Sequence, residues 1–263
     1  MKFGIFTSGN GFDLNHFYDF LKTLKIEYTA IGADSDFSGI DYAWIFGGDG
    51  TVLHVATTLA KYNVPAVCVN CGHIGFLTDF EYNEIEEAVK LLLGGKLNKL
   101  SRMLIDVSFG NKKTTALNDL VVQRNNLNES GKLILDLGVY INGQLADEIA
   151  GDGVIVMTPS GSTAYSLSAG GSILSPDVNA IGITPICAHS LHNRPIACAG
   201  ESEVLIKNFS DSSAYVTIDG VICGYLKADE SVSVKKSDYV FTTLIKENSN
   251  FFEKLNKKLN RRR

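Results

Sequence analysis

Apolar and polar positions change their rhythm once along this chain. In the first hundred residues, short apolar runs alternate with stretches of helical spacing. Lys2–Ser8, Tyr42–Phe46 and Pro65–Asn70 read as strands. Between them, Asp13–Leu24 carries Leu14, Phe17, Leu21 and Leu24 at steps of three and four, which gathers them on one helix face. Thr51–Lys61 and Tyr82–Leu93 also read as helices, the second opened by acidic residues and stopped by Gly94-Gly95. Strand and helix in alternation predict a parallel, Rossmann-like sheet covered by helices.

From about Met103 the pattern turns to short β-rich runs: Leu104–Phe109, Thr115–Gln123, Leu133–Ile141 and Val154–Thr158, then Glu203–Asn208, Ala214–Ile218 and Val232–Lys235. Asn142-Gly143 between Tyr140-Ile141 and Gln144-Leu145 is a hairpin signal. One helix, around Ser162–Ala169, interrupts the series. The expected organisation is an α/β domain over 1–100 and a mostly β domain over 101–239. Phe251, Phe252 and Leu255 form an apolar stripe that needs a partner, so the segment from about 240 to 263 is expected to return to the first domain. The basic tail reads as a solvated helix end.

Composition narrows the function. The 263 residues are 45% hydrophobic and 20% charged, enough to bury a core rather than stay disordered. With 24 Lys and Arg against 29 Asp and Glu, the net charge is −5, which lacks the basic footprint of a nucleic-acid binder. The ligand is expected to be small. No run resembles a membrane span or a signal peptide. An odd count of five Cys without a regular framework fits free thiols in a reducing compartment, so the expected location is the cytoplasm.

Two motifs carry chemistry. Gly47-Gly48-Asp49-Gly50-Thr51 lies between a strand and a helix. Glycines there let backbone approach a ligand, and N–H groups at the helix start attract an anion. An acid inside a phosphate loop would repel its ligand unless it meets Mg²⁺ or takes a proton from an attacking hydroxyl. The plainer alternative is a tight turn with Asp49 as helix N-cap. The second motif is the Gly151–Gly171 run, rich in hydroxyls and glycine. Between Asp152 and Arg194 only Asp177 is otherwise charged. Such a run suits a pocket that reads a polar ligand by hydrogen bonds, with Thr163, Tyr165 and Ser168 on the first turns of a helix.

These segments occur in order with Gly72-His73-Ile74-Gly75-Phe76-Leu77, Ala116-Leu117-Asn118-Asp119 and Pro185-Ile186-Cys187-Ala188-His189-Ser190-Leu191…Arg194-Pro195. The whole resembles the NAD kinase family from about residue 40 to 225, with Thr158-Pro-Ser-Gly-Ser-Thr-Ala-Tyr-Ser-Leu-Ser168 the most specific element. The resemblance implies phosphorylation of the adenosine-ribose 2′-hydroxyl of NAD⁺, with ATP as donor and Mg²⁺ as cofactor. It implies Asp49 as general base and Gly47, Gly48 and Thr51 as the phosphate loop. Gly50, His54 and Phe76 are implied as dinucleotide contacts, and Asn118 with Asp119 as the pair that holds it. Asp152 is implied as a pocket acid, and Thr163, Ala164, Tyr165 and Ser168 as the adenine and ribose wall. Cys187, Asp219 and Lys132 are implied as further contacts, Lys132 toward a phosphate. A homo-oligomer, dimer or tetramer, is implied likewise. Two positions depart from the family: Asp119 stands where Glu is usual, and Cys187 replaces another small residue.

Other motifs fall short of the chemistry they resemble. Cys68-Val-Asn-Cys71 lacks a second pair for a structural zinc site. Gly9-Asn10-Gly11 lacks the third glycine of a dinucleotide fingerprint, and Gly94-Gly95-Lys96 the first glycine of a P-loop. Adjacent residues rarely face one another, so His189 and Ser190 do not read as a catalytic pair. The competing functions are a lipid or sugar kinase sharing the glycine loop, and a non-catalytic dinucleotide sensor.

Overall fold

The computed structural model describes residues 1–7, 12–33, 35–72, 75–125, 134–190 and 192–260. The chain divides into two compact units: 1–102 with 239–263, and 103–238.

The first unit begins with β1 (Lys2–Thr7), α1 (Asn15–Thr23), β2 (Glu27–Ala30), β3 (Tyr42–Phe46), α2 (Asp49–Lys61), β4 (Ala66–Asn70), β5 (Phe80–Glu81) and α3 (Ile85–Leu93). β2, β1, β3 and β4 lie side by side in parallel, and Phe3, Ile5, Trp44, Phe46, Val67 and Val69 fill the core beside Phe17 and Leu21 of α1. Burial on both faces is what makes these strands read as continuous apolar runs.

The chain passes to the second unit within β6 (Leu97–Phe109). There follow β7 (Lys112–Ala116), β8 (Asp119–Arg124), β9 (Leu135–Ile141), β10 (Gln144–Gly151), β11 (Gly153–Met157), α4 (Tyr165–Ser168), β12 (Ala180–Ile186), β13 (Ile196–Ala199), β14 (Val204–Asn208), β15 (Ala214–Ile218) and β16 (Val221–Leu226). The order β13-β12-β11-β8-β15-β16 is antiparallel throughout. A second antiparallel set runs β10-β9-β14 and on to the first residues of β17 (Ser231–Lys246). Leu120, Val122, Val154 and Val156 from one set pack with Leu137, Val139, Val204 and Ile206 from the other, so the core is a sheet-on-sheet layer. Two hairpins turn on Asn142-Gly143 and Asp219-Gly220, all four residues at positive φ, the requirement of a type I′ turn.

β17 carries the chain back to the first unit, where Thr243 pairs in parallel with Ala66 and α5 (Phe251–Leu259) ends the described chain. The α/β unit followed by a mostly β unit is the expected fold class. Several elements differ in extent. The expected strand Thr115–Gln123 is two strands, broken at Leu117-Asn118. The expected helix Ser162–Ala169 is a 3₁₀ turn, Ser160–Thr163, and the single turn of α4, separated by Ala164 at φ −97°, ψ −128°, outside the helical region. No described helix is long and apolar enough to cross a membrane.

Candidate active site

In the α/β unit, β3 delivers the chain to Gly47-Gly48, and α2 begins at Asp49. Gly48 is the N-cap and supplies no side-chain cap, so the N-cap alternative for Asp49 does not hold. Asp49 is the first helical residue, and its carboxylate reaches across to the segment after β4. The Phe76 N–H donates to Oδ2 and the Leu77 N–H to Oδ1, each at 2.9 Å. A Cβ on Gly75 would fall 2.2 Å from Asp49 Oδ1, so only glycine admits this approach. Lys258 of α5 places Nζ 3.5 Å from Asp49 Oδ2 and 4.1 Å from the centre of the Phe76 ring. The Phe76 carbonyl accepts from the buried Arg102 guanidinium at 3.4 Å. Gly50 and His54 are exposed on the first turns of α2, while Thr51 is buried beneath the loop.

Asp79, three residues beyond Phe76, anchors the tail. Its Oδ2 accepts from the Lys246 N–H at 2.6 Å, and its Oδ1 accepts from the Ser249 hydroxyl and the Lys254 ammonium. Burial pushes the Asp79 carboxyl upward, but the Lys254 charge and these donors together outweigh it and hold the group below the ordinary carboxylate value. Lys254 also donates to the Thr78 carbonyl at 3.0 Å. The expectation of a solvated basic tail is therefore corrected at two residues. Lys254 and Lys258, four apart on one face of α5, both turn toward acids of the unit.

The β-rich unit builds a different cluster. The Asp219 carboxylate accepts from the backbone N–H groups of Leu117, Asn118 and Asp119 at 2.8, 2.7 and 3.0 Å. These amides turn to one carboxylate between the end of β7, which pairs with β6, and the start of β8, which pairs with β11 and β15, and the expected strand is broken there. The Asn118 carbonyl accepts from the Thr158 N–H at 2.9 Å, and a Cβ on Gly161 would lie 2.1 Å from that carbonyl oxygen. Gly161 thus lets the Ser160–Thr163 turn seat directly on Asn118. Asn118 Oδ1 is buried without a hydrogen-bond partner among the described residues. Burial first, and the neighbouring Asp219 charge second, push the Asp119 carboxyl up to about 7. Asp219 is raised too, by burial, against the pull of its three amide donors.

Asn118, Asp119 and Asp219 thus come together beside the turn leading through Thr163 and Ala164 to the exposed Tyr165 and Ser168. Asp152 and Cys187 lie elsewhere. Asp152 precedes Gly153 at the far end of β11, paired with Arg124 at 3.3 Å and joined to Ile186 through its N–H. Gly153 opposes Gln123 while Met157 opposes Asp119, four strand steps apart, about 13 Å. Cys187 is exposed at the end of β12, in the left-handed region at φ 47°. Lys132 lies outside the described residues. Sequence reasoning missed Asp79, Arg102, Lys254 and Lys258; the i, i+4 lysines of an amphipathic helix were the one signal for the last two.

A Mg²⁺ held only by protein needs several oxygen ligands. No group of three or more Asp, Glu, His or Cys is so placed among the described residues. Asp49 presents one partly exposed carboxylate.

Comparison with known proteins assigns the family. Residues 22–97 match the ATP-NAD kinase N-terminal domain model and residues 117–246 the C-terminal domain model. An NAD kinase of Clostridium botulinum (strain Loch Maree / Type A3) is 37% identical over 247 residues, covering 91% of this chain and 85% of the relative. One from Caldicellulosiruptor saccharolyticus is 35% identical over 240 residues, covering 91% and 90%. Yeast NADH kinase complexed with NADH superposes with a TM-score of 0.87 at 24% identity, covering 100% of this chain and 89% of the other. An NAD kinase from Archaeoglobus fulgidus in complex with ATP gives 0.79 at 24%, covering 98% of each; at such identity both speak for the fold. With both domain models matched in order and relatives more than a third identical over nine-tenths of its length, the chain belongs to the ATP-NAD kinase family of phosphotransferases.

Proposed function

We propose that the chain transfers the γ-phosphoryl group of ATP to the 2′-hydroxyl of the adenosine ribose of NAD⁺, giving NADP⁺ and ADP. Asp49 is the proton acceptor. A bond forms between the ribose 2′-oxygen and the γ-phosphorus as the bond from that phosphorus to the β–γ bridging oxygen breaks. The hydroxyl proton passes to the Asp49 carboxylate, and ADP leaves with the bridging oxygen. The observation that carries the reading is an acid at the head of a helix, in a glycine loop, fixed by two amide N–H groups from a separate segment. Phosphoryl transfer asks the protein chiefly for positioning and charge neutralisation, and this acid is positioned from both sides. Mg²⁺, when bound, neutralises charge on the triphosphate.

The β-rich unit supplies recognition. Asn118 Oδ1 is a buried acceptor in want of a donor, which a ribose hydroxyl or an adenine amino group provides. An Asp119 carboxyl raised to about 7 is available in both protonation states near neutrality. Tyr165, exposed beside them, offers an aromatic face for adenine. The test is incubation of the purified protein with NAD⁺, ATP and Mg²⁺, and chromatography of the products. NADP⁺ and ADP in equal amounts are expected. Their absence, with phosphate appearing instead on diacylglycerol or a sugar, would assign the glycine loop to another acceptor.

A further inference from the structure

We propose that Lys258, from the C-terminal helix, is a positioning residue for phosphoryl transfer, and that it determines which oxygen of Asp49 receives the proton. The proposal rests on the reading of Asp49 as proton acceptor. A carboxylate offers about four lone-pair directions, two per oxygen. Oδ2 meets the Phe76 N–H at 2.9 Å and the Lys258 ammonium at 3.5 Å, whereas Oδ1 meets the Leu77 N–H alone among the described residues. Among the described residues the second lone pair of Oδ1 thus faces no cation, whereas that of Oδ2 is turned toward the ammonium. Oδ1 is also the oxygen that faces the missing side chain of Gly75. At 3.5 Å the lysine acts as an ion pair rather than a tight hydrogen bond. It steers the carboxylate and leaves it able to bind a proton.

The ammonium is itself held. It sits over the Phe76 ring at 4.1 Å, a cation–π contact, and Phe76 supplies the N–H on the same Oδ2. Phe76, Asp49 and Lys258 thus form a closed ring of three contacts. The helix behind Lys258 is fixed by polar groups. Asn250 caps it by accepting from the Phe252 and Glu253 N–H groups, and Lys254 binds Asp79 and the Thr78 carbonyl. None of its residues is fully buried, and Phe252 and Leu259 are exposed. Phe251 packs its ring against Phe76 at 6.3 Å and Leu255 is half-buried, and the two lysines turned toward Asp79 and Asp49 add charge contacts to that apolar seat.

The experiment is steady-state kinetics on Lys258→Met and Lys258→Arg, with Lys257→Met as the exposed neighbour control and melting curves for each. Lys258→Met is expected to lower kcat roughly 10–100-fold, the scale of a misplaced catalytic group, with KM for NAD⁺ and ATP nearly unchanged. Lys258→Arg restores much of kcat, and Lys257→Met behaves as wild type. Combined with Asp49→Asn, Lys258→Met adds no further loss, because its effect passes through that carboxylate. An unchanged kcat in Lys258→Met overturns the proposal. So does a raised KM for ATP at constant kcat, which would make the lysine a phosphate contact. A full additional loss in the Asp49→Asn background overturns it as well. A melting temperature that drops as far in Lys258→Arg as in Lys258→Met, with kcat following it, assigns a structural role instead. Wild-type turnover by Asp49→Asn alone refutes the base reading itself, an outcome separate from the Lys258 arms.

Discussion

Asp49 and Asp119 are the same amino acid in opposite surroundings. Asp49 is partly exposed and ringed by donors: two amides and an ammonium. Asp119 is buried beside a second acid, Asp219, that has already claimed the three nearest amides. The first arrangement orients a carboxylate and leaves it partly open to solvent, which fits the proton acceptor proposed above. The second raises the affinity of a carboxylate for its proton, which suits recognition of a hydroxyl. Role follows from which donors the backbone offers, not from residue type.

The largest expected effect tests the first half of that contrast. Asp49→Asn keeps size but loses basicity and one of the two acceptor oxygens that meet the Phe76 and Leu77 N–H groups, so turnover is expected to fall about 10²–10⁴-fold with NAD⁺ affinity little changed. Loss of binding at preserved turnover would reverse the two roles. Next comes the anchor beside Asp49. Asp79→Asn leaves Lys254 facing a weaker acceptor and should cost about 2–4 kcal/mol in urea unfolding. Because folding holds the Asp79 carboxyl low, its contribution is present above the ordinary value of 3.8 and lost as pH falls through the folded value. A variant as stable as wild type at pH 7 would show the tail to be held otherwise. The smallest effect has the opposite sign. The folded Asp119 binds its proton up to about 7, against 3.8 in the free acid, so this group makes stability decline as pH rises across that window. Asp119→Asn should flatten the decline and gain about 1–3 kcal/mol at pH 8. An unaltered pH slope would place the proton elsewhere in the pair.

What the sequence disclosed depended on distance along the chain. The glycine loop and the Thr158–Ser168 run are contiguous, so both the residues and their turn chemistry were legible. The hairpin at Asn142-Gly143 was legible for the same reason. Ala180–Ile186 escaped notice because Gly182 and Pro185 interrupt its apolar pattern; only pairing with β11 and β13 makes it a strand. β17 was expected to be four residues long. Lys235-Lys236-Ser237-Asp238 masks its continuation, which the second pairing at Thr243 supplies. The break at Leu117-Asn118 comes from a carboxylate about a hundred positions away, and the cation beside Asp49 from 209 positions away. Local propensity carries no trace of either.

The return of the chain after Tyr239 sets an order of events during synthesis. Asp79 waits for Lys246, Ser249 and Lys254, and Asp49 for Lys258, all of which leave the ribosome after the entire β-rich unit. Since translation releases a chain from its N-terminus, the glycine loop emerges early but gains its cations last. A nascent chain halted before α5 would lack the ammonium groups that meet Asp49 and Asp79, so the contacts around the glycine loop are completed only by the last segment of the chain.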